Sequence, residues 1–207
     1  MSMRRVVITG LGIVSPIGNT AAEVDAALRA GTSGIVASEE MAEHGFRSQV
    51  AGTLKMDVTD HVDKRTLRFM GPGAAYAHIA MGQAIEDAGL TEAEVVNPMT
   101  GLIAGSGGPS TSAMLAAHQT VLKNGSTKRI GPFAVPKTMS STVSANLATA
   151  YKIKGMNFSI TSACSTSLHC IGMAAQQIAL GHQDVMFGGG GEELDWTLSC
   201  LFDAMGA

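Results

Sequence analysis

Short apolar runs alternate with longer amphipathic stretches along the chain. An apolar run bounded by turn residues predicts a buried strand, and apolar positions three or four residues apart predict a helix. The predicted strands are 5–9, 49–53, 101–104, 156–161 and 184–187, the last of which leads into a run of four glycines. The predicted helices are 20–31, 63–88 with a break at 71–73, 112–123, 141–151 and 165–180. This alternation favours an α/β layered fold with a largely parallel sheet, in one domain spanning 1–207.

Composition excludes several classes of protein. Hydrophobic residues make up 45% of the chain and charged residues 15%, which is the opposite of a disordered chain. No run approaches the ~18 apolar residues that a membrane span requires. A net charge of −3 creates no field that would attract nucleic acid. Three cysteines without a CxxC pair are typical of a reducing cytoplasm.

The first residues resemble a secretory signal, because basic Arg4 and Arg5 precede an apolar run. The glycines Gly10, Gly12 and Gly18 argue against a signal, as does the lack of a small-residue cleavage site. We therefore interpret the run as an opening buried strand.

The segment 159–172 places a cysteine where a predicted strand passes into a predicted helix. Cys164 lies at or beside the first helical residue, among small Ser, Thr and Ala neighbours that leave room for a substrate. Free backbone N–H groups and the positive end of the helix dipole favour thiolate there, and can receive charge on a thioester oxygen. The pattern favours a nucleophile over a small buried hydrophobe, which is the role expected of Cys170 and Cys200.

No histidine is placed to act as a base for this cysteine. His169 follows Cys164 by five residues, so in a helix of ~3.6 residues per turn it would point ~140° away. We therefore predict that it is a poor partner. The other histidines, in contexts typical of solvated or satisfied side chains without metal-ligand spacing, are His44, His61, His78, His118 and His182. The chain thus offers a nucleophile without an obvious base.

Two glycine motifs admit a weaker functional interpretation. Gly10-Leu11-Gly12 follows a predicted strand, but Ser15 stands where a dinucleotide-binding fingerprint needs its third glycine. The run 105–108 could cradle a phosphate, yet no lysine follows at P-loop spacing. We interpret both as tight turns where backbone approaches backbone or ligand.

Two clusters of charge each leave alternatives open. Lys64, Arg65 and Arg68, with Lys128 and Arg129 as possible additions, form either a solvated face or a dock for an acidic partner. The acidic positions 192, 193 and 195 could suggest a cation site. A capped, solvated loop accounts for the same acidic pattern, and we favour it, so no metal site is predicted.

Several motifs together resemble bacterial β-ketoacyl-acyl-carrier-protein synthases. They are Val7–Gly18, Gly105–Gly108, Ser162–Ser167 and Gly188–Glu193. The segments 191–196 and 202–207 favour the type I enzymes over type II enzymes and modular polyketide synthases. The resemblance covers essentially the whole chain in register. It implies a thiolase-like fold, in which two similar halves build five αβαβα layers from mixed, mainly parallel sheets with helices on both faces. This chain resembles the N-terminal half.

The resemblance implies a decarboxylating Claisen condensation between an acyl thioester and malonyl-acyl carrier protein, in cytoplasmic fatty-acid elongation. Cys164 would hold the acyl group as a thioester, and its backbone N–H would be one oxyanion donor. Gly108, Ala163 and Phe202 match substrate-binding positions, and Met139 would reach the acyl pocket of a partner subunit. No dissociable cofactor is implied, because the phosphopantetheine arm of the carrier brings the thioester.

The resemblance also implies two partners. Acyl carrier protein would dock on Lys64, Arg65 and Arg68. A homodimer would form through the strand 156–161, which would run antiparallel to its copy across a two-fold axis. No nucleic acid and no membrane is implied.

The family's two catalytic histidines, its lysine and its second oxyanion donor lie in the second half. The helix 165–180 is apolar on nearly every side and must be covered on more than one. We therefore expect these residues alone to be an incomplete catalyst, and not a stable one. The alternative is a non-catalytic fragment or dimerising partner with the same fold. Cys164 favours the enzyme, since relatives that resemble chain-length factors lack this cysteine.

Overall fold

A computed structural model describes residues 3–206. Its helices are α1 Ala21–Ala30, α2 Glu39–Glu43, α3 Lys64–Leu67, α4 Pro72–Asp87, α5 Glu92–Val95, α6 Thr111–Asn124, α7 Ala134–Thr138, α8 Thr142–Ala150, α9 Thr166–Ala179 and α10 Trp196–Met205. Its strands are β1 Ile35–Ala37, β2 Val50–Gly52, β3 Thr100–Gly105, β4 Asn157–Phe158 and β5 Val185–Gly190. Among these residues, no helix is both long and apolar enough to cross a membrane.

The main sheet has three parallel strands in the order β4-β3-β5. Its central strand, β3, is buried at all six positions. The pairing with β5 runs from Thr100 opposite Val185 to Gly105 opposite Gly190. A separate small sheet pairs β1 and β2 antiparallel.

Helices cover both faces of this sheet, as predicted. Successive side chains of a strand point to opposite faces. Leu102 and Ala104 therefore pack into one core cluster with residues of α4 and α8, while Ile103 packs against Cys170 and Ala174 of α9. The result is an α/β/α sandwich with β3 at its centre.

The predicted ends of α1 are confirmed by their capping geometry. The Thr20 side chain accepts a hydrogen bond from the Glu23 amide at the start of α1, and Gly31 ends α1 with φ of 65°. The break predicted at 71–73 lies at 68–71 instead, because α3 ends at Leu67 and α4 already starts at Pro72, a residue that fits the first turn of a helix. Residues that favour caps and turns thus placed the ends of α1 correctly and this break a few residues too late.

The strand predicted for 5–9 is wrong, because no residue from 3 to 14 belongs to a strand. This segment lies along α4 instead, and side chains of that helix accept hydrogen bonds from its backbone amides. The Leu11 amide donates to Asp87 at 2.8 Å and the Ile13 amide to Gln83 at 2.9 Å. A Cβ atom at Gly12 would lie 1.7 Å from the Ala80 carbonyl oxygen, so only glycine permits this approach.

The strand predicted for 156–161 is shorter than expected. Only Asn157 and Phe158 pair with β3. After Phe158 the backbone hydrogen bonds of the ladder stop. The Ala104 carbonyl accepts a hydrogen bond from a side chain instead, from Ser159 Oγ at 2.7 Å. The chain is thereby released from the sheet six residues before Cys164.

Helix α9 is covered on one side within residues 3–206. Its buried residues are Thr166, Cys170, Ala174 and Gln177. Leu168 is 70% exposed and Ile171 47% exposed, so a second apolar face of α9 meets solvent. This is the incomplete covering that the sequence predicts for this helix.

Candidate active site

Three loops meet at one edge of the main sheet. Because β3, β4 and β5 are parallel, their carboxyl ends lie at the same edge, where ligands of α/β proteins commonly bind. The β3 exit loop is Ser106–Gly108, the nucleophile turn is Ser162–Ser165 and the β5 exit loop is Gly191–Glu193. The sheet therefore brings Cys164 beside two of the glycine motifs found in the sequence.

Cys164 is exposed in the nucleophile turn, directly after a strained residue. Ala163 has φ of 50°, in the left-handed region that a residue with a Cβ atom adopts at a cost of ~1–3 kcal/mol. The turn is held by Ser165 N–H donating to the Ser162 carbonyl, and by Thr166 N–H donating to that of Ala163, each at 3.1 Å. Strain of this kind persists where the surroundings hold the backbone, and it clusters at functional sites.

The helix start lies slightly further along the chain than expected. Helix α9 begins at Thr166, with Ser165 as its N-cap, so Cys164 precedes the first helical residue by two positions. The amides of Ser165 and Thr166 are already used by the turn. The sequence predicts that the N–H groups at this point are free to stabilise charge on a substrate. These two are not free.

His169 is held by a partner that the sequence did not indicate. Its Nδ1 lies 2.7 Å from Ser162 Oγ, a hydrogen bond that spans the nucleophile turn. That His169 is a poor base for Cys164 stays a prediction, because this contact involves only Nδ1. The angular argument behind it does not apply, because Cys164 lies before the helix. No spacing rule relates a turn residue to a helical one, so the Ser162–His169 hydrogen bond could be found only from the structure.

Close backbone approach requires glycine at the sheet edge, which was predicted for Gly105 but not for Gly190 or Gly191. A Cβ atom at Gly105 would lie 2.0 Å from the Ile160 carbonyl oxygen. One at Gly190 would lie 2.6 Å from the Gly105 oxygen, and one at Gly191 would lie 2.2 Å from the Gly73 oxygen. Gly105 and Gly190 thus allow the strand ends to lie close to neighbouring backbone, and Gly191 packs the β5 exit loop on α4.

The acidic pair after β5 is only partly the solvated loop that we favoured, because Glu192 is exposed and Glu193 half-buried, but both carboxylates are hydrogen-bonded within the protein. The Glu192 carboxylate accepts hydrogen bonds from Ser106 Oγ, at 3.0 Å, and from the Gly107 amide. The Glu193 carboxylate accepts from Ser110 Oγ at 2.7 Å and from the Ser112 amide at 3.2 Å, at the start of α6. The reason is that β5 ends beside β3, which places its exit loop against the residues that follow β3. Only Asp195 behaves as expected, since it caps α10.

Two of the four predicted substrate-binding residues lie at this edge. Ala163 is in the nucleophile turn. Gly108 is in the β3 exit loop, where the adjacent Gly107 lies close to Ala163: a Cβ atom at Gly107 would lie 3.2 Å from the Ala163 oxygen. A cavity of about 10 Å³ lies beside Gly108, with room for about one water molecule. Met139 ends α7, half-buried, and Phe202 lies in α10, 47% exposed; their roles stay predictions.

The basic cluster, Lys64, Arg65 and Arg68, is exposed, and through Arg68 it contacts the segment around Phe133. Lys64, Arg65 and Arg68 lie in or at the end of α3, and all three are exposed. The Arg68 guanidinium lies 5.4 Å from the centre of the Phe133 ring, which also meets Phe69 edge-on at 4.9 Å. Among residues 3–206, none of the three cations forms an ion pair.

Several other histidines are satisfied, as predicted. His44 stacks on Trp196 with ring centres 4.0 Å apart, and His182 Nδ1 lies 3.0 Å from the Gln177 side-chain oxygen. His78 is not satisfied, since its buried Nδ1 has no hydrogen-bond partner among the described residues. It packs on Tyr151; burial lowers the pKa of His78 and raises the pKa of Tyr151 to about 12. No three His, Cys, Asp or Glu side chains within 3–206 lie together as a metal site would require.

We predict that alkylation at neutral pH labels Cys164 well before the other two cysteines. Cys170 is fully buried, and this burial raises its thiol pKa, while the Cys200 thiol is partly buried and donates to the Thr197 carbonyl. Peptide masses after timed iodoacetamide treatment of the complete gene product measure the three rates. Labelling in urea is the control, and equal rates in the folded protein would defeat the prediction.

Comparison with known proteins agrees with this geometry. Residues 3–207 match the family described as "Beta-ketoacyl synthase, N-terminal domain". The chain is 55% identical to 3-oxoacyl-[acyl-carrier-protein] synthase 1 of Haemophilus influenzae, covering 99% of this chain and 50% of that protein. It is 53% identical to the synthase of the same name from Escherichia coli, covering 99% and 51%.

Solved structures show the same fold. A β-ketoacyl synthase from Burkholderia phymatum superposes with a TM-score of 0.87 at 29% identity, covering 98% of this chain and 50% of that one. The ishigamide ketosynthase/chain length factor gives a TM-score of 0.89 at 25% identity, covering 100% and 52%. The chain spans about half the length of the curated relatives it matches. It belongs to the β-ketoacyl synthase family, whose N-terminal domain it carries.

Proposed function

We propose that the complete gene product is a 3-oxoacyl-acyl-carrier-protein synthase, an acyltransferase of fatty-acid elongation. The observation that carries the proposal is Cys164, exposed after a strained residue at the carboxyl edge of a parallel sheet. The family and the 53% to 55% identity to synthases of this name support the same reaction.

In the first step the Cys164 thiolate attacks the acyl thioester on the carrier protein. A new bond forms between Sγ and the acyl carbon, and the carrier's thiol leaves and takes a proton. Charge on the tetrahedral oxygen needs N–H donors. The Cys164 amide is the proposed donor on this chain, since the next two amides are bonded within the turn.

In the second step malonyl-acyl carrier protein loses carbon dioxide, and the resulting carbanion attacks the acyl group on Cys164. The carbon–sulfur bond breaks, which regenerates the thiolate and releases the 3-oxoacyl product. Both substrates bring their own thioester, so the proposed reaction uses no dissociable cofactor. Gly108, Met139, Ala163 and Phe202 are the proposed substrate-binding residues, with Met139 serving the partner subunit.

We predict that Cys164→Ala abolishes condensation and the acyl adduct, because no other thiol is exposed in the nucleophile turn. The complete gene product is incubated with acyl- and malonyl-acyl carrier protein, and both the product and the mass of the Cys164 peptide are measured. Cys200→Ala is the matched control and should keep both. An acyl adduct or turnover that survives Cys164→Ala would refute the assignment, and inactive wild-type protein would favour the non-catalytic alternative.

We propose acyl carrier protein as the partner and the basic cluster as its dock. Three exposed cations without ion pairs are available to an acidic surface, and the Phe69 and Phe133 rings beside them add apolar contact area. Exposed charges steer association and are screened by salt. Lys128 and Arg129 lie on a turn that ends four residues before Phe133 and extend the proposed dock.

We predict that reversing Lys64, Arg65 and Arg68 to glutamate weakens carrier-protein binding and flattens its salt dependence. Binding is measured by titration at several ionic strengths. Arg29→Glu is the matched control, because Arg29 is an exposed cation on α1 whose side chain is paired with Asp25. Unchanged affinity and salt slope in the triple variant would remove the dock from this face.

We propose that the protein is a homodimer joined through the segment 156–161. Among the described strands β4 is an edge of the sheet, and both Asn157 and Phe158 are exposed. An edge strand presents unpaired backbone groups to a second strand, and a two-fold axis would let the same segment of each subunit pair with its copy.

We predict a dimer by light scattering at micromolar concentration. Phe158→Lys should shift the equilibrium toward monomer, because it sets like charges near each other across the axis. Leu122→Lys is the matched control, since Leu122 is 83% exposed on α6, outside the segment 156–161. A monomeric wild-type protein would refute the dimer.

We place the protein in the cytoplasm, a proposal that three free cysteines support.

A further inference from the structure

The carboxylate of Glu192 holds the β3 exit loop at two points. It accepts a hydrogen bond from the Gly107 amide with one oxygen and from Ser106 Oγ, at 3.0 Å, with the other. Ser106 is 7% exposed, whereas Glu192 and its bond to the Gly107 amide lie at the surface. Hydrogen bonds to an ionised group are stronger than neutral ones, which makes this contact able to fix a glycine-rich loop.

The loop that Glu192 holds is wedged against the nucleophile turn. A Cβ atom at Gly107 would lie 2.9 Å from Glu192 Oε1 and 3.2 Å from the Ala163 oxygen. Gly107 therefore fills the space between the carboxylate and the carbonyl of the strained residue. A shift of the loop would release Ala163, which keeps φ of 50° only while its surroundings hold it.

The Ser106 hydroxyl cannot donate to both of its neighbouring acceptors at once, which makes the Gly107 amide the more important contact of Glu192. Ser106 Oγ lies 2.6 Å from the Gly108 carbonyl and 3.0 Å from Glu192 Oε2. The hydroxyl has one proton for two acceptors. The loop can thus keep its internal Ser106–Gly108 bond while the Gly107 amide alone ties it to Glu192. The amide bond is the contact that fixes the loop in either arrangement.

We propose that Glu192 is a positioning residue, which acts through Gly107 to hold the nucleophile turn in the conformation that presents Cys164. The neighbouring Glu193 serves a different element, since its carboxylate bonds to residues at the start of α6. Two adjacent carboxylates on one exit loop therefore bind different elements, Glu192 the β3 exit loop and Glu193 the start of α6.

Three variants of the complete gene product test this role. Glu192→Ala removes both acceptors. Glu192→Gln keeps an oxygen for the Gly107 amide, and its NH₂ group can donate to Ser106 Oγ, which frees that hydroxyl to bond the Gly108 carbonyl. Glu92→Ala is the matched control, because Glu92 is an exposed carboxylate paired with Lys152. The readouts are kcat and KM for acyl transfer to Cys164, and the rate of Cys164 alkylation by iodoacetamide.

Glu192→Ala should lower kcat about tenfold to hundredfold, which is the scale of a small misplacement of a reacting group. KM for acyl carrier protein should stay within about twofold, because the proposed dock is not altered, and Cys164 alkylation should slow at least threefold. Glu192→Gln should restore kcat to within about threefold of wild type. Unchanged kcat in a folded Glu192→Ala protein, or a Glu192→Gln protein as impaired as Glu192→Ala, would overturn the proposal.

If Glu192→Ala does not fold, Gly107→Ala replaces it, since its methyl group would press on the Ala163 oxygen from the same side. It should lower kcat and slow alkylation in a folded protein, and wild-type values would overturn the proposal. The kinetic readout rests on the proposed acyl transfer, whereas alkylation does not. Wild-type protein without acyl transfer would therefore refute the proposed function alone, and the alkylation series would still decide the role of Glu192.

Discussion

The backbone pairing of β3 with strands on both of its sides is the interaction on which the site depends. Six consecutive buried residues can satisfy their amides and carbonyls only through neighbouring strands. The parallel direction of those strands then delivers three chain exits to one edge. Cys164, the β3 exit loop and the β5 exit loop meet there because the ladder ends there.

Much of this arrangement could be predicted from the sequence. The strands at 101–104 and 184–187, and the helices that end at Gly31 and Gly89, follow from apolar runs and turn residues, which are local signals. Cys164 was located by its position between a strand and a helix, again a local pattern. The glycine at 105 was correctly interpreted as a site of close approach, although the sequence could not say which backbone approached it.

What the sequence could not provide are contacts between distant segments. The first residues look like a strand, yet side chains of α4 take the amides of Leu11 and Ile13. The strand at 156–161 was overestimated because the hydroxyl of Ser159 ends the ladder early. Glu192 and Glu193 resemble surface carboxylates until β5 is placed beside β3. In each case a polar side chain replaces or redirects a backbone hydrogen bond, and apolar periodicity does not record such exchanges.

The unequal crowding of the glycines has a consequence for how such a site can diverge. Gly105, Gly190 and Gly191 each face another backbone segment so closely that any side chain would force the two segments apart. Gly108 differs, because a Cβ atom placed there would meet nothing within 4 Å. Side chains of increasing size could therefore accumulate at position 108 over evolutionary time while the neighbouring glycines stay invariant. Selection on the shape of a bound chain would then have a permissive position on which to act, next in the chain to Gly107, which faces the Ala163 oxygen.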